Sequence, residues 1–125
     1  MFNPRTIAPK SCTLPAGFSC FGYRIYSTDG ARGNLTLDLS QATGHTLNIT
    51  EIACSANDTP SFTPVNVRIY NGEHEKIYTN CYYADGSLPQ ADEFYRGSIY
   101  IRYVDEDTNI QHSIRGEISY LVEGG

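Results

Sequence analysis

The clearest pattern in the chain is the alternation over Asn34–Leu39, where Leu35, Leu37 and Leu39 fall on one phase and Asn34, Thr36 and Asp38 on the other. Only extended backbone turns a period of two into one apolar and one polar face. The longest stretch of this kind lies near the C-terminus. Tyr95–Val104 and Ile110–Val122 are two β-prone runs joined by the polar turn Asp105-Glu106-Asp107-Thr108-Asn109. Ile99, Ile101 and Tyr103 share one phase, Tyr100 and Arg102 the other, and Ile114, Ile118 and Tyr120 share a face of the second run. The pattern predicts a half-buried hairpin that forms the spine of the core. Gly97 and Gly116 interrupt it at places where a strand bulges or lets another backbone approach.

Four more runs carry strand patterning: Phe21–Ser27, Thr46–Cys54, Val65–Tyr70 and Lys76–Tyr83. In the second, Leu47 and Ile49 point inward, and Ile52 joins them after a register change. In the third, Val65, Val67 and Ile69 point inward. Turn-forming clusters separate the runs, among them Thr28–Gly33, Ser40–His45, Ser55–Pro64, the tight pair Asn71-Gly72, and Ala84–Asp92. Residues 1–10 read as a Pro-flanked arm and Ser11–Cys20 as a compact loop. No segment shows a helical period. About seven strands with turns at short intervals predict an all-β fold, an antiparallel β-sandwich, with residues 11–125 as a single domain.

Composition sharpens this reading. Ten Tyr, eleven Gly, six Pro and one Met in 125 residues suit a turn-rich β domain. The net charge of −5, with no Lys/Arg cluster, argues against a nucleic-acid partner. No apolar run is long enough to span a membrane, and Met1-Phe2-Asn3-Pro4 does not open a secretory signal. The four cysteines, Cys12, Cys20, Cys54 and Cys81, form no CxxC pair. Disulfides in an oxidising, extracytoplasmic compartment are therefore expected rather than zinc. Of the three possible pairings, Cys12–Cys20 closes a short loop around Leu14-Pro15-Ala16-Gly17, and Cys54–Cys81 ties two strands far apart in sequence. These two are the expected bridges.

Candidate chemistry is sparse. Three sequons, at Asn34, Asn48 and Asn57, are possible glycan acceptors. Asn34 and Asn48 lie on the polar phase of their strands, whereas Pro60 directly after Thr59 disfavours Asn57. The Asp105–Asn109 segment begins like an EF-hand loop but lacks its sixth-position Gly and flanking helices, so a solvated hairpin turn is expected. His45, His74 and His112 are scattered singly, and no metal site is expected. No nucleophile motif is present, so no catalytic residue is assigned and no enzyme activity or cofactor is expected. Tyrosine is the unusual enrichment, and exposed tyrosines suit contact with sugars or with a protein surface. Tyr82, Tyr83 and Tyr100 are the contact candidates, Tyr100 because its phase opposes Ile99 and Ile101.

The order of these features resembles a known family. Phe2-Asn3-Pro4 leading to SCTLPAGFSC at Ser11–Cys20, then NLTLDL and LNITEIAC, then FYRG before IYIRY and a Gly-bearing last strand, is similar to archaeal type IV pilin-like proteins across nearly the whole chain. The resemblance implies the β-sandwich headgroup of an extracellular pilus-like filament subunit, with roles in subunit packing and surface adhesion. In that family the headgroup follows a hydrophobic N-terminal helix, through which copies of the chain assemble and which sits in the membrane beforehand. This sequence carries no such helix, so it is expected to represent the headgroup alone. The alternative is a secreted, monomeric β-sandwich that binds carbohydrates or surfaces.

Overall fold

The computed structural model describes residues 10–124. Apart from Lys10, the predicted N-terminal arm lies outside the described residues. Every regular element among them is a strand: β1 (Ser11–Thr13), β2 (Phe18–Ser27), β3 (Asn34–Gln41), β4 (Leu47–Ser55), β5 (Thr63–Ile69), β6 (His74–Tyr82), β7 (Phe94–Asp105), β8 (Ile110–Leu121) and β9 (Glu123–Gly124). The all-β expectation holds, but in place of an antiparallel sandwich of about seven strands the described residues form nine strands in one curled, mixed sheet. The order is β1-β8-β7-β4-β6-β3-β2-β9, with β5 attached to β4. Pairing is antiparallel except for β2–β9 and β4–β6, which run parallel for two residue pairs each.

The strands curl into two leaves around one core. One leaf holds β1, β8, β7, β4 and β5, and the other holds β6, β3, β2 and β9. The leaves are continuous only where Cys54 and Ser55 pair with Cys81 and Tyr82. Across the interior, Tyr23 of β2 meets Tyr120 of β8 at 5.8 Å between ring centroids, and Phe18 meets Tyr103 at 5.4 Å. Leu35, Leu37 and Leu39 face Ile49, Ile52, Ile99 and Ile101 in a core where all are at most 1% exposed. Each such side chain contributes about 1.5–3 kcal/mol on burial.

Both disulfides close the curl. Cys54–Cys81 bonds the two strands at the β4–β6 joint, with Cα atoms 4.5 Å apart. Cys12–Cys20 links β1 to β2 across the other opening, with Cα atoms 6.1 Å apart. The Ser11–Cys20 segment is therefore not a loop throughout. Ser11–Thr13 pairs with β8, and Phe18–Cys20 begins β2. Two bulges set the phase of the strands. Between Cys20 and Gly22 the register shifts, so Phe18 and Cys20 face the core before it and Tyr23 and Ile25 after it. Between Ile49 and Glu51 the same happens in β4, which brings Ile52 inward.

The closing hairpin runs without a bulge from Phe94↔Leu121 to Asp105↔Ile110. Its glycines serve close approach instead. A Cβ at Gly116 would collide with the Thr13 carbonyl and Leu14, and one at Gly97 with the folded-over ring of Tyr95. The Asn71-Gly72 turn is tight, with Glu73 N–H donating to the Tyr70 carbonyl at 3.0 Å. It does not make a hairpin, because β5 pairs with β4 and β6 with β3. Gln41, 1% exposed, anchors this end of the molecule. Its amide nitrogen donates to the carbonyls of His45 (2.6 Å) and Ile69 (2.9 Å), and its oxygen accepts from the N–H and hydroxyl of Thr43.

Candidate functional site

The outer face of the first leaf is unusually small-chained along β4. Ala53 pairs with Tyr100 and Ser55 with Ser98. Since Ile99 and Ile101 face the core, these four share the outer face. Ala53 is nevertheless 0% exposed, and the connection 56–62 after β4 is bonded to Tyr100 on this same face. Asn57 shapes that connection. Its side-chain oxygen accepts from the N–H (3.0 Å) and hydroxyl (3.1 Å) of Thr59, and its amide nitrogen donates to the Ala84 carbonyl at 3.1 Å. The Tyr100 hydroxyl donates to the Asn57 carbonyl at 3.2 Å and ties the connection to the sheet.

The connection makes one wall of a groove of about 290 Å³, and β7 and β8 make its floor. Asp58, Pro60 and Phe62 line the wall; Tyr100, Arg102, Ser113 and Arg115 line the floor. The rings of Phe62 and Tyr100 meet edge-to-face, 6.3 Å apart. Each carries a guanidinium, Arg102 at 3.9 Å from the Phe62 centroid and Arg115 at 5.3 Å from that of Tyr100. Arg102 spends Nη1 on Glu51 at 2.8 Å. Arg115 donates Nε to Ser98 at 3.2 Å. Among the described residues the terminal nitrogens of Arg115 make no hydrogen bond.

A second depression, of about 210 Å³, lies on the other side of the same connection, lined in part by Asn57, Pro60, Tyr82 and Tyr83. The Tyr83 hydroxyl donates to Glu93 at 3.0 Å, and burial together with that carboxylate pushes its pKa up to about 12. Tyr95 packs against Tyr83 and donates to the Tyr82 carbonyl at 2.8 Å, and burial raises its pKa well above the usual phenol range. Tyr82, Tyr83, Tyr100 and the sequon residue Asn57 thus gather around one connection. Asn34 and Asn48 stand apart, half-buried on the outer faces of the two leaves, with Asn34 accepting a bond from Asn80 at 3.2 Å.

The histidines are not solitary. His45 Nδ1 lies 2.5 Å from Asp105 Oδ2, so hydrogen bonding and charge raise the His45 pKa and hold the Asp105 carboxyl below the usual range. Asp107 lies near them, and the three offer ligand atoms within 4.8 Å of one another. The other Asp105 oxygen is occupied by the turn N–H groups of Asp107 and Thr108. Asp105 therefore builds the hairpin turn, with Asn109 in the left-handed region at φ 61°. His74 bonds Asp38 at 2.8 Å and stacks on Phe21, and His112 stacks on Tyr103.

Sequence reasoning identified Tyr100 but missed Arg102, Arg115 and Phe62. Arg102 shares the Tyr100 phase and was within reach. Arg115 becomes its neighbour only once the hairpin register is known, and nothing in the sequence places Phe62. Comparison of the chain with protein-family models, with curated proteins and with solved structures found no match.

Proposed function

We propose that this chain is a non-catalytic extracellular contact domain, a disulfide-closed β unit that presents the Tyr100 groove to a surface or to a neighbouring subunit. The groove carries the reading. Two aromatic rings capped by guanidinium groups form an amphipathic, partly exposed platform. Two disulfides suit an oxidising environment. The sequence resemblance supports a more specific form of the same function: the sandwich-like headgroup of an archaeal type IV pilus-like filament subunit, which polymerises through a helix ahead of Phe2. A lone, secreted carbohydrate- or surface-binding module is the second reading, favoured by the groove itself.

Mass spectrometry of the native protein sheared from its source cells separates the two. The filament reading expects a long apolar segment directly before Phe2-Asn3-Pro4. A mature chain beginning near Met1 refutes it and leaves the lone module. The contact function is tested by glycan-array binding and sedimentation of the wild type and of the Phe62→Ala/Tyr100→Ala variant. Contacts that appear in neither assay, or that survive the double substitution unchanged, overturn the role of the groove.

A further inference from the structure

Resting on the contact reading above, the geometry points to a ligand class: we infer that the Tyr100 groove binds a sugar acid, a saccharide bearing a carboxylate on its ring. Three observations carry this. The first is charge. In a chain of net charge −5, the groove gathers Arg102 and Arg115 from adjacent strands onto one face. Arg102 is already shared with Glu51, whereas among the described residues Arg115 is held only by Nε and by the ring of Tyr100. Its outer edge therefore keeps two parallel N–H donors, the fork that matches a carboxylate.

The second observation is shape. The groove is shallow and walled by Phe62 with Tyr100 in the floor, so an apolar ring face has a platform while its edges remain in water. A pyranose ring offers such a face, whereas a flexible acidic side chain does not. The third is the rim. Ser113 and Asp58 flank the arginines and supply a hydroxyl and a carboxylate acceptor for ring hydroxyls. An acceptor in a cationic groove suits a ligand that brings donors as well as an anionic group. An acidic side chain brings no hydroxyl donor of its own, so it would meet the arginines but leave Asp58 unanswered.

The test is calorimetric titration of the wild-type chain with a tetramer of galacturonic acid, with its fully methyl-esterified form, and with an oligoglutamate of equal charge. The acid tetramer is expected to bind more tightly than its ester by roughly tenfold or more, the scale of a charge-assisted hydrogen-bond pair. Added salt should weaken that preference. Arg115→Gln should abolish it, Arg115→Lys should restore only part of it, and Arg24→Gln, on the other leaf, should leave it intact. Arg115 is exposed and makes a single hydrogen bond among the described residues, so these variants should keep the wild-type circular dichroism. Equal binding of acid and ester, lost only with Phe62→Ala/Tyr100→Ala, overturns the acid assignment and leaves the contact function standing. Oligoglutamate binding as tightly as the acid tetramer overturns the saccharide assignment. No binding of any probe overturns the inference, and the self-association measurement then decides the contact function separately.

Discussion

Removing the Cys54–Cys81 bridge by the double substitution Cys54→Ala/Cys81→Ala should cost more stability than removing Cys12–Cys20 in the same way. In the chain-entropy picture, a bridge spanning 27 residues restrains the unfolded chain by about 3.5 kcal/mol, and one spanning 8 residues by about 2.5 kcal/mol. Burial widens the gap. Cys54 and Cys81 are 1% and 0% exposed, so truncating them also leaves unfilled space worth on the order of 1–2 kcal/mol. Cys12 and Cys20 are only partly buried and add little. The expected losses are therefore about 5 and about 2.5–3 kcal/mol, against a total of roughly 5–15 kcal/mol for a domain. Urea unfolding followed by tyrosine fluorescence and far-ultraviolet circular dichroism measures both, since the chain has no Trp to dominate the signal. Equal losses, or a larger loss for Cys12–Cys20, would refute the view that the β4–β6 joint is the seam that holds the leaves together.

Three further outcomes follow from the structure. The His45–Asp105 contact should make stability pH-dependent. Its histidine part is complete below the ordinary value of 6.5 and fades as pH rises through the raised value; its aspartate part is complete above 3.8 and fades as pH falls through the lowered value. Melting curves of wild type and His45→Gln should therefore differ most in mildly acidic buffer and converge at alkaline pH, and a constant difference would exclude the pairing. Gly116→Ala should cost roughly 1–3 kcal/mol and strip hydrogen-exchange protection from β1 while sparing β3, since the added methyl meets the Thr13 carbonyl. An ultraviolet titration should show Tyr83 and Tyr120 resisting ionisation to about 12, with Tyr95 and Tyr103 also delayed by burial. Simultaneous ionisation of all ten tyrosines in the folded chain would contradict the packing.

Where alternation is unbroken, the sequence was a sufficient guide. β3 and the β7–β8 hairpin have the faces that their phases predict, with Leu35, Leu37, Leu39, Ile99 and Ile101 all buried. It failed where the signal is too short or changes phase. β1 and β9 have three and two residues, too few for a period. The start of β2 was hidden because the bulge at Phe21 reverses which positions face inward. The pairing partners of β5 and β6 were also illegible, since a tight turn fixes where the chain reverses and not which strand it then joins. The groove was half legible for the same reason. Tyr100 stands out by phase, but its neighbours come from register and from a connection whose path Asn57 sets through hydrogen bonds to Thr59 and Ala84.

The Cys12–Cys20 bond also determines how the domain bears tension. A pull applied ahead of Ser11 can unzip only Ser11 and Cys12 from β8 before the load meets a covalent link. From there it enters β2 at Cys20, bypassing residues 13–19, and reaches a strand held along nearly its whole length by β3. Peeling, the weak mode for an antiparallel edge, is thereby stopped at its second residue. A domain tethered at its N-terminal end, as a filament subunit would be, then resists drag through the long β2–β3 pairing rather than through the three residue pairs of β1 with β8.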